Sequence, residues 1–313
     1  MKRKTHEIGT LGPTPPPEHT TTLVLTLSGG LALPSNSVTQ APTNYTTHER
    51  PPDHGGRRRR ARDAENTTTA PFHIITQNCR GLNAPEKRSH LLQDLKHRRV
   101  SIALLQETHL READTHRIQN KHYTTTYHSS HQTTRKAGVS ILLSTNLQFT
   151  HSETLKDTDG RYIFVKGTIA QRTYTFASVY APNTNQVKFL RRTLLKLATF
   201  TEGILILGGD LNLPLDPIAD TSTGHSTIAQ TAIRRLRRTL HDLRLVDTWR
   251  ALHPDSRNYI HYSTLHKRYS RIDYIFIQQE GLTHLQKADI KPTPWADHNR
   301  NLYTPRLSHL QAH

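Results

Sequence analysis

Hydrophobic and polar positions alternate between residues 72 and 277 in a way that is typical of a domain containing both strands and helices. Short apolar runs, each long enough for a single strand, recur through this region. They predict seven strands, at 72–76, 101–105, 138–143, 162–169, 174–180, 204–207 and 272–277. Several runs follow one another without a helical segment between them, so a simple repeat of parallel strand and helix does not fit.

Three other segments carry apolar residues at the spacing of one helical face, and Lys or Arg residues occupy their opposite faces. The apolar sets are Leu91, Leu92 and Leu95; Val187, Leu190, Leu194 and Ala198; and Ile228, Ala232, Leu236, Leu240 and Leu243. Together with the strands, these surface helices predict an α+β fold in which two packed, mixed β-sheets are flanked by helices.

Residues 1–70 have a different composition, because Thr, Pro, Ser and Gly dominate and no regular period persists. Such a segment buries too little apolar surface to offset the entropy lost on ordering. We therefore predict a disordered, Thr/Pro-rich basic tail over residues 1–70 and a folded domain over residues 71–313. The Arg run at 57–60, extended by Arg62, is a candidate nuclear localisation signal or nucleic-acid arm, although short basic runs also arise by chance.

The location of the protein is indicated by what its sequence lacks. No stretch approaches the roughly 20 apolar residues of a membrane-spanning helix. The apolar run at 23–33 follows a Pro-rich leader, which is a poor start for a signal peptide. The single cysteine, Cys79, excludes an intrachain disulfide and fits a reducing compartment. We expect a soluble nuclear or cytoplasmic protein with no membrane partner.

The charge of the chain points to a polyanionic partner. There are 42 Lys and Arg residues against 25 Asp and Glu residues, which gives a net charge of +17. The first 70 residues hold nine basic and six acidic side chains, so +14 remains for the predicted domain. Because phosphate contacts dominate nucleic-acid affinity, this excess favours a nucleic-acid partner over a merely well-solvated basic surface.

Polar side chains at the ends of the apolar strands are the candidates for chemistry. Asp210 and Asn212 follow the run at 204–207, and alternate residues of a strand point the same way. An acid and an amide held together could accept a proton from water and orient a phosphate oxygen. Gly208 and Gly209 leave room for a ligand or another backbone. The alternative is a turn that caps a helix.

Two further carboxylates occupy comparable places. Glu107 follows the strand at 101–105 and would be a hard oxygen ligand for Mg²⁺. Asp273 lies within an apolar run, where an unpaired charge is costly, and the pair Asp297–His298 supplies a candidate partner.

Asn78 and Tyr180 complete the set of strand-end residues. Taken singly, Asn78 is more typical of a turn and Tyr180 of half-buried packing. Six such placements in one basic domain nevertheless favour a site.

In chain order these segments resemble the endonuclease/exonuclease/phosphatase superfamily. The resemblance lies in residues 76–83 (TQNCRGLN), 105–110 (LQETHL), 180–184 (YAPNT), 208–212 (GGDLN), 270–274 (SRIDY) and 297–298 (DH). Within the superfamily, the forms at 106–110, 214–222 and 269–274 are similar to the endonucleases of LINE (non-LTR) retrotransposons, which are related to apurinic/apyrimidinic endonucleases. The match runs from about residue 71 to about residue 307.

The resemblance implies a four-layered α/β sandwich with the site at one rim of the sheets. The implied catalytic residues are Asp210, Asn212, His298, Asp273, Tyr180 and Asn78, the implied metal ligands are Glu107 and Asp297, and the implied nucleic-acid contacts are Ser270 and Arg271. Asp210 would activate water with the aid of Asn212. Tyr180 and His298 would contact the scissile phosphate, and Asp273 would orient His298.

The implied activity is a Mg²⁺-dependent DNA endonuclease, with Mn²⁺ as a second possible ion and no small-molecule cofactor. It would nick DNA and leave a 3′-hydroxyl that primes reverse transcription. A phosphatase or phosphodiesterase acting on lipid or inositol phosphates and a catalytically inactive nucleic-acid-binding remnant are the alternatives. The sequence has no apolar membrane-docking loop, which argues against the former.

Three departures from the family pattern bear on activity. Ala296 stands where the family usually has Ser, and Ile260 stands where related elements often have Thr. Pro305 lies in the segment that should form a closing central strand, where it would remove a ladder hydrogen bond. Because a complete element protein would continue into a reverse transcriptase, we expect a fragment or an isolated reading frame.

Overall fold

The computed structural model describes residues 21–28, 71–264 and 267–293. The strands are β1 (Thr21–Leu27), β2 (Phe72–Asn78), β3 (Ile102–Gln106), β4 (Thr125–Ser129), β5 (Val139–Leu143), β6 (Phe149–Lys156), β7 (Tyr162–Ile169), β8 (Arg172–Tyr180), β9 (Ile204–Asp210), β10 (Leu245–Asp247), β11 (His261–Ser263), β12 (Arg268–Ser270), β13 (Asp273–Gln278) and β14 (Leu285–Pro292). The helices are α1 (Pro85–His97), α2 (Gln186–Phe200), α3 (Pro217–Asp220), α4 (Gln230–Asp242) and α5 (Thr248–Leu252), and 3-10 turns span Glu112–Ile118 and Gln279–His284. None of the helices described is long and apolar enough to cross a bilayer.

The strands form two six-stranded sheets and one hairpin. The first sheet has the order β14-β1-β2-β3-β5-β4, the second has the order β10-β13-β9-β8-β7-β6, and β11 pairs with β12. Apolar side chains from the facing sides of both sheets, such as Ile74, Leu104 and Phe176, are fully buried between them. The predicted α+β architecture with two packed, mixed sheets is confirmed.

Helices cover the outer faces of the sheets and complete four layers. Leu91, Leu92 and Leu95 of α1 pack on the first sheet. Leu190, Leu194 and Leu197 of α2 pack on the second sheet beside α4, which buries Ile233, Leu236 and Leu240. Each helix thus buries most of the apolar face that its sequence presents and leaves its basic face in solvent, but Ala198 of α2, predicted on the apolar face, is exposed. The four-layered sandwich is confirmed.

Residues 21–27 correct the prediction that residues 1–70 form a disordered tail. They form β1, which pairs antiparallel with β2 on one side and β14 on the other. Its apolar side chains, at Leu23, Val24, Leu25 and Leu27, are buried. The run is short, but both of its faces lie in the core, so it gains enough burial to order. The remainder of residues 1–70 lies outside the described residues.

The strand expected after His298 also lies outside the described residues.

β1 lies between β2 and β14, so Leu23 is paired with Thr76 and with Ile290. Thr22 and Thr293, both buried, have their hydroxyl oxygens 2.6 Å apart at the end of the sheet where β2 terminates. A segment that precedes the folded region in sequence therefore occupies a central position in its first sheet.

Candidate active site

Strand ends from both sheets meet at one rim of the sandwich. β2 and β3 are parallel, as are β8 and β9, so their last residues lie at the same edge. β13 runs antiparallel to β9, which places its first residue, Asp273, directly opposite Asp210. Tyr180, the last residue of β8, is the other neighbour of Asp210. The rim encloses an open cleft of about 550 Å³, and its lining includes Asn78, Glu107, Tyr180, Asp210, Asn212, Ser270 and Asp273.

Asn78 links the two sheets across this cleft. Its side-chain nitrogen donates to Glu107 Oε1 at 2.7 Å and to Asp210 Oδ2 at 2.9 Å. The backbone nitrogen of Arg80 donates to Asn78 Oδ1 at 3.0 Å, which fixes the orientation of the amide. Asn78 is therefore more than a turn residue, because it holds two carboxylates together.

Glu107 is ionised at any physiological pH. Burial alone would raise the pKa of its carboxyl group, but hydrogen bonds from His109, Asn78 and Tyr180 together lower this pKa to about 2. The ring nitrogen Nε2 of His109 lies 3.5 Å from Glu107 Oε2. Glu107 has a φ of 49°, a left-handed conformation that is uncommon for a residue other than glycine. This strained backbone turns the carboxylate into the cleft.

Asp210 and Asp273 have the opposite electrostatic setting. Burial and the charge of Glu107 raise the pKa of Asp210 to about 6, although hydrogen bonds from the Asn78 side chain and the Asn212 backbone partly offset this rise. Burial and the charges of Asp210 and Glu107 raise the pKa of Asp273 well above its ordinary value. Because the carboxylates of Glu107, Asp210 and Asp273 repel one another, a bound cation would stabilise their ionised forms.

Asp273 has an oxygen that the described residues do not satisfy. The residue is 6% exposed, and its Oδ1 atom has no hydrogen-bond partner within the described part of the chain. A buried, unpaired carboxylate oxygen is costly, so its site requires a ligand or a further side chain. The predicted partners Asp297 and His298, together with Ala296, lie outside the described residues.

Asn212 and Tyr180 also project into the cleft. The backbone nitrogen of Asn212 donates to Asp210 Oδ1 at 2.8 Å, and its side chain donates to the carbonyl of Ala181 at 2.7 Å. Tyr180 is half-buried against the core beneath the cleft and its hydroxyl group hydrogen-bonds to Glu107. The pKa of Tyr180 is raised by burial and by the charge of Glu107, so the phenol remains a hydrogen-bond donor.

The two glycines before Asp210 serve packing between protein segments. A Cβ atom on Gly209 would lie 2.0 Å from the carbonyl oxygen of Val179, in the neighbouring strand. On Gly208 it would lie 2.5 Å from a methyl group of Leu104, in the facing sheet. The sequence suggests that these glycines make room either for a ligand or for another backbone. At Gly209 the second explanation applies, because the backbone of Val179 lies against it.

Arg271 corrects one sequence prediction. The residue is 1% exposed, and its guanidinium group donates to Asp220 Oδ1 at 2.9 Å and to Asp247 Oδ2 at 2.7 Å. Arg250 also donates to Asp220, at 2.8 Å. Since Arg271 is enclosed by these partners, it cannot reach DNA, and it instead joins the β12–β13 segment to α3 and to the end of β10. Ser270 is buried but lines the cleft.

A second wall of the cleft comes from residues around the β11–β12 hairpin. Ile260, His261, Ser263 and Arg268 line this side. Ile260 is 7% exposed, so its side chain contributes an apolar surface where related elements often carry a hydroxyl group.

Sequence reasoning missed two basic residues at the site. Arg80 lines the cleft, and its charge lowers the pKa values of both Asp210 and Asp273 against the dominant effect of burial. His109 contacts Glu107. Both residues follow the strand-end residues by two positions and have positive φ, at 45° and 54°. The sequence signal that could have identified Arg80 and His109 is their position two residues after Asn78 and Glu107.

The donor set fits a hard divalent cation. Carboxylate and amide oxygens are the ligands that Mg²⁺ prefers, and Mg²⁺ usually keeps several waters while binding one or two carboxylates. Within residues 21–28, 71–264 and 267–293, no group of three His, Cys, Asp or Glu side chains is placed so that it could hold a metal ion. Glu107 is the ionised and partly exposed carboxylate of the cleft that could contribute one ligand.

Comparisons with known proteins agree with this fold. The protein of transposon TX1 from Xenopus laevis, of 149 kDa, is 29% identical over 236 residues, which cover 72% of this chain and 17% of that protein. The match thus spans less than a fifth of that relative. The catalytic domain of Xenopus laevis APE2 has the same fold, with a TM-score of 0.52 at 17% identity, covering 70% of this chain and 92% of that chain.

A second solved structure shares the fold. The AP endonuclease LMAP from Leishmania major aligns with a TM-score of 0.54 at 16% identity, covering 71% of this chain and 88% of that chain. The family model described as "Endonuclease/Exonuclease/phosphatase family" matches residues 75–298, which is well over half of the chain. The chain therefore belongs to the endonuclease/exonuclease/phosphatase family.

Proposed function

We propose that this protein is a metal-dependent DNA endonuclease that nicks one strand by attack of an activated water and leaves a 3′-hydroxyl. The observation that carries the proposal is the meeting of Glu107, Asp210 and Asp273 with Asn78 in one open cleft of a strongly basic chain. Family membership and the shared fold with AP endonucleases support the class of reaction.

Glu107 is the proposed metal ligand, with Asp297 expected beside it. Its carboxylate is ionised and its side chain is 20% exposed, so an ion can reach it from the cleft. A bound Mg²⁺ would neutralise charge that develops on the phosphate and on the leaving oxygen.

Asp210 is the proposed general base. Asn212 and Asn78 hold its two oxygens from opposite sides, so the carboxylate has one orientation. Its pKa of about 6 lies closer to neutrality than that of an ordinary Asp, which improves its ability to accept a proton from water.

Tyr180, Asn212 and Arg80 are the proposed donors to the scissile phosphate. The phenol of Tyr180 keeps its proton, and Arg80 is exposed at the edge of the cleft. Asp273 would accept a hydrogen bond from His298 through its unpaired Oδ1 atom, which would fix the imidazole toward the same phosphate.

DNA is the proposed substrate because the charge of the protein suits an extended polyanion. The net charge is +17, and Arg80 and Arg268 lie at the cleft itself. The Xenopus laevis relative is a transposon protein, and we extend the proposal to a nick whose 3′-hydroxyl primes reverse transcription.

A plasmid assay tests this function. Purified protein should convert supercoiled plasmid to the nicked circle with Mg²⁺, and EDTA should abolish the reaction. Asp210→Asn preserves the side-chain volume and should lower the nicking rate by at least a hundredfold, since a positioned general base contributes about 10²–10⁴. Asp242→Asn, at an exposed position on α4, is the matched control and should nick normally.

The ends of the product complete the test. A DNA polymerase should extend the nick directly, without prior phosphatase treatment. Equal nicking by wild type and Asp210→Asn would reject the proposed base. Binding of DNA without nicking under any metal condition would favour the inactive nucleic-acid-binding remnant.

A further inference from the structure

A second cavity, which we call the distal cavity, lies at the opposite end of the sandwich from the candidate active site. Its volume is about 670 Å³. Phe72 and His73, at the start of β2, line it, whereas Asn78, at the end of β2, lines the catalytic cleft. Six residues of extended strand separate the two, which corresponds to about 20 Å. The distal cavity is therefore a separate place on the molecule.

The lining of the distal cavity is cationic. Four of its residues are basic, His73, Lys96, Arg99 and His122, and none of its described lining residues is Asp or Glu. The pKa values of His73 and His122 are both lowered by burial and by neighbouring cations, which favours their neutral forms, so Lys96 and Arg99 carry the positive charge of the lining. Two cations in a lining without a described carboxylate attract an anion.

Several donors around the distal cavity have no partner. His122 Nε2 is buried and makes no hydrogen bond within the described part of the chain. Lys96 and Arg99 are exposed at the end of α1 and form no ion pair with any described residue. These groups can bind a ligand without first breaking an internal contact.

The remaining walls are apolar and aromatic. Phe72, Leu147 and Ile169 form one part of the lining, and Ser101 and Asn146 add polar groups. Phe72 is only partly buried and stacks edge-on against Tyr174 at 6.3 Å, which holds its ring in place. An apolar surface beside cations is the combination with which proteins bind the bases and phosphates of single strands.

We propose that the distal cavity binds one or two nucleotides of a single-stranded nucleic acid. Lys96 and Arg99 would contact its phosphates, His122 would donate a hydrogen bond, and a base would lie against Phe72 and Leu147. This binding site is additional to the proposed nuclease function, because none of these residues lines the catalytic cleft.

The segment at 29–70 is the other conceivable occupant of the distal cavity. The described residues on either side of this segment lie at this end of the sandwich, since Leu27 is paired with Phe72. However, the segment contains six Arg residues and four acidic residues, so its net charge is positive. Charge complementarity therefore favours a polyanion over this segment.

Fluorescence anisotropy tests the proposal on the full chain in EDTA, with labelled 12-nucleotide oligo(dT) and oligo(U) as probes. The double variant Lys96→Glu/Arg99→Glu should bind at least tenfold more weakly. The slope of log affinity against log salt should fall by about 1.4, or about 0.7 for each lost phosphate contact. Arg234→Glu/Arg238→Glu, on the exposed face of α4, makes the same change in net charge and is the matched control.

Blocking the cavity gives a second measurement that does not change its charge. Cys79 is fully buried and burial raises the pKa of its thiol to about 12, so a maleimide should label only an introduced cysteine. A bulky maleimide on Asn146→Cys should abolish single-strand binding, whereas the same label on Ala198→Cys, on exposed α2, should not.

Two results would overturn the proposal. One is an equal loss of affinity in both charge-reversal variants, which would indicate a general field effect. The other is unchanged binding after labelling at Asn146→Cys. Plasmid nicking by Lys96→Glu/Arg99→Glu should persist, so a failure of this proposal can be told apart from a failure of the proposed nuclease function.

Discussion

At the scale of single residues, one amide group sets the electrostatics of the candidate active site. Asn78 donates to both Glu107 and Asp210 and carries no charge of its own. Asn78 therefore holds the carboxylates of Glu107 and Asp210 close to each other without placing a positive charge between them. The result is an ionised Glu107 beside an Asp210 whose pKa is raised to about 6.

The raised pKa of Asp210 implies a conflict between function and stability. In the folded protein its carboxyl group binds a proton more tightly than in the unfolded chain, so stability falls as pH rises from about 4 to about 6. Asp210→Asn removes the charge and should raise the free energy of unfolding by about 1–3 kcal/mol at pH 8 in EDTA. Near pH 4 the gain should be close to zero.

Urea denaturation at the two pH values measures this effect. Asp242→Asn, at an exposed position, should leave the free energy of unfolding nearly unchanged at both. A loss of stability in Asp210→Asn at pH 8 would mean that the hydrogen bonds from Asn78 and Asn212 outweigh the burial of the charge.

The sequence places some site residues well and others not at all. The strand-end rule brought Asn78, Glu107, Tyr180 and Asp210 to one cleft, because neighbouring parallel strands end at a common rim. Asp273 reaches the same cleft from the beginning of β13, which runs antiparallel to β9. Arg80 and His109 escaped prediction, since they lie on left-handed turns whose direction no periodicity encodes.

At the scale of elements, predictability follows burial. All seven predicted strands and all three predicted helices are present, because each has an apolar face that packs in the core. β6 was missed since it is an edge strand whose residues, FTHSETLK, are almost all exposed. β14 was missed because its sequence, LQKADIKP, alternates poorly. Such strands are ordered by their neighbours rather than by their own composition.

Arg271 shows how an element can be misjudged from one side chain. Its motif suggests DNA contact, but the guanidinium group lies under the β12–β13 segment between Asp220 and Asp247. The side chain therefore positions the strand that carries Asp273. The sequence could not show this, because the three partners are separated by at least 24 residues in the chain.

Replacing Arg271 should destabilise the fold without removing a DNA contact. Arg271→Met leaves buried Asp220 and partly buried Asp247 short of a counter-charge, so the free energy of unfolding should fall by about 3–5 kcal/mol. Arg244→Met breaks an exposed ion pair with Glu280 and should cost at most about 1 kcal/mol.

DNA binding by the folded fraction distinguishes the two roles of Arg271. The salt dependence of affinity should match that of the wild type, because no phosphate contact is lost. A decrease in the slope by about one unit would show that Arg271 reaches the backbone of DNA after all.

At the scale of the whole molecule, the first sheet depends on β1, although the composition of residues 1–70 predicts disorder there. β1 separates β2 from β14, and its buried Leu23, Leu25 and Leu27 belong to the core between the sheets. Each such side chain contributes about 1.5–3 kcal/mol on burial. Their sum is comparable to the entire stability of an ordinary domain, about 5–15 kcal/mol.

A truncation series tests this dependence. A chain that begins at Pro71 should lack a cooperative thermal transition and should aggregate, because two strand edges and the core are exposed. A chain that begins at Thr20 keeps β1 and should melt like the full chain. Circular dichroism and size-exclusion chromatography give the comparison, and a cooperative, monomeric 71–313 fragment would refute the role assigned to β1.

The position of β1 also governs when the protein can finish folding during its synthesis. Thr22 contacts Thr293, 271 positions later, so one edge of β1 must wait for β14, whereas its other edge pairs with β2. At about 5–20 residues per second this interval is roughly 15–50 seconds. Throughout it, the edge of β1 that faces β14 stays open on the nascent chain, which makes it a target for chaperones and delays completion of the first sheet until β14 has been synthesised.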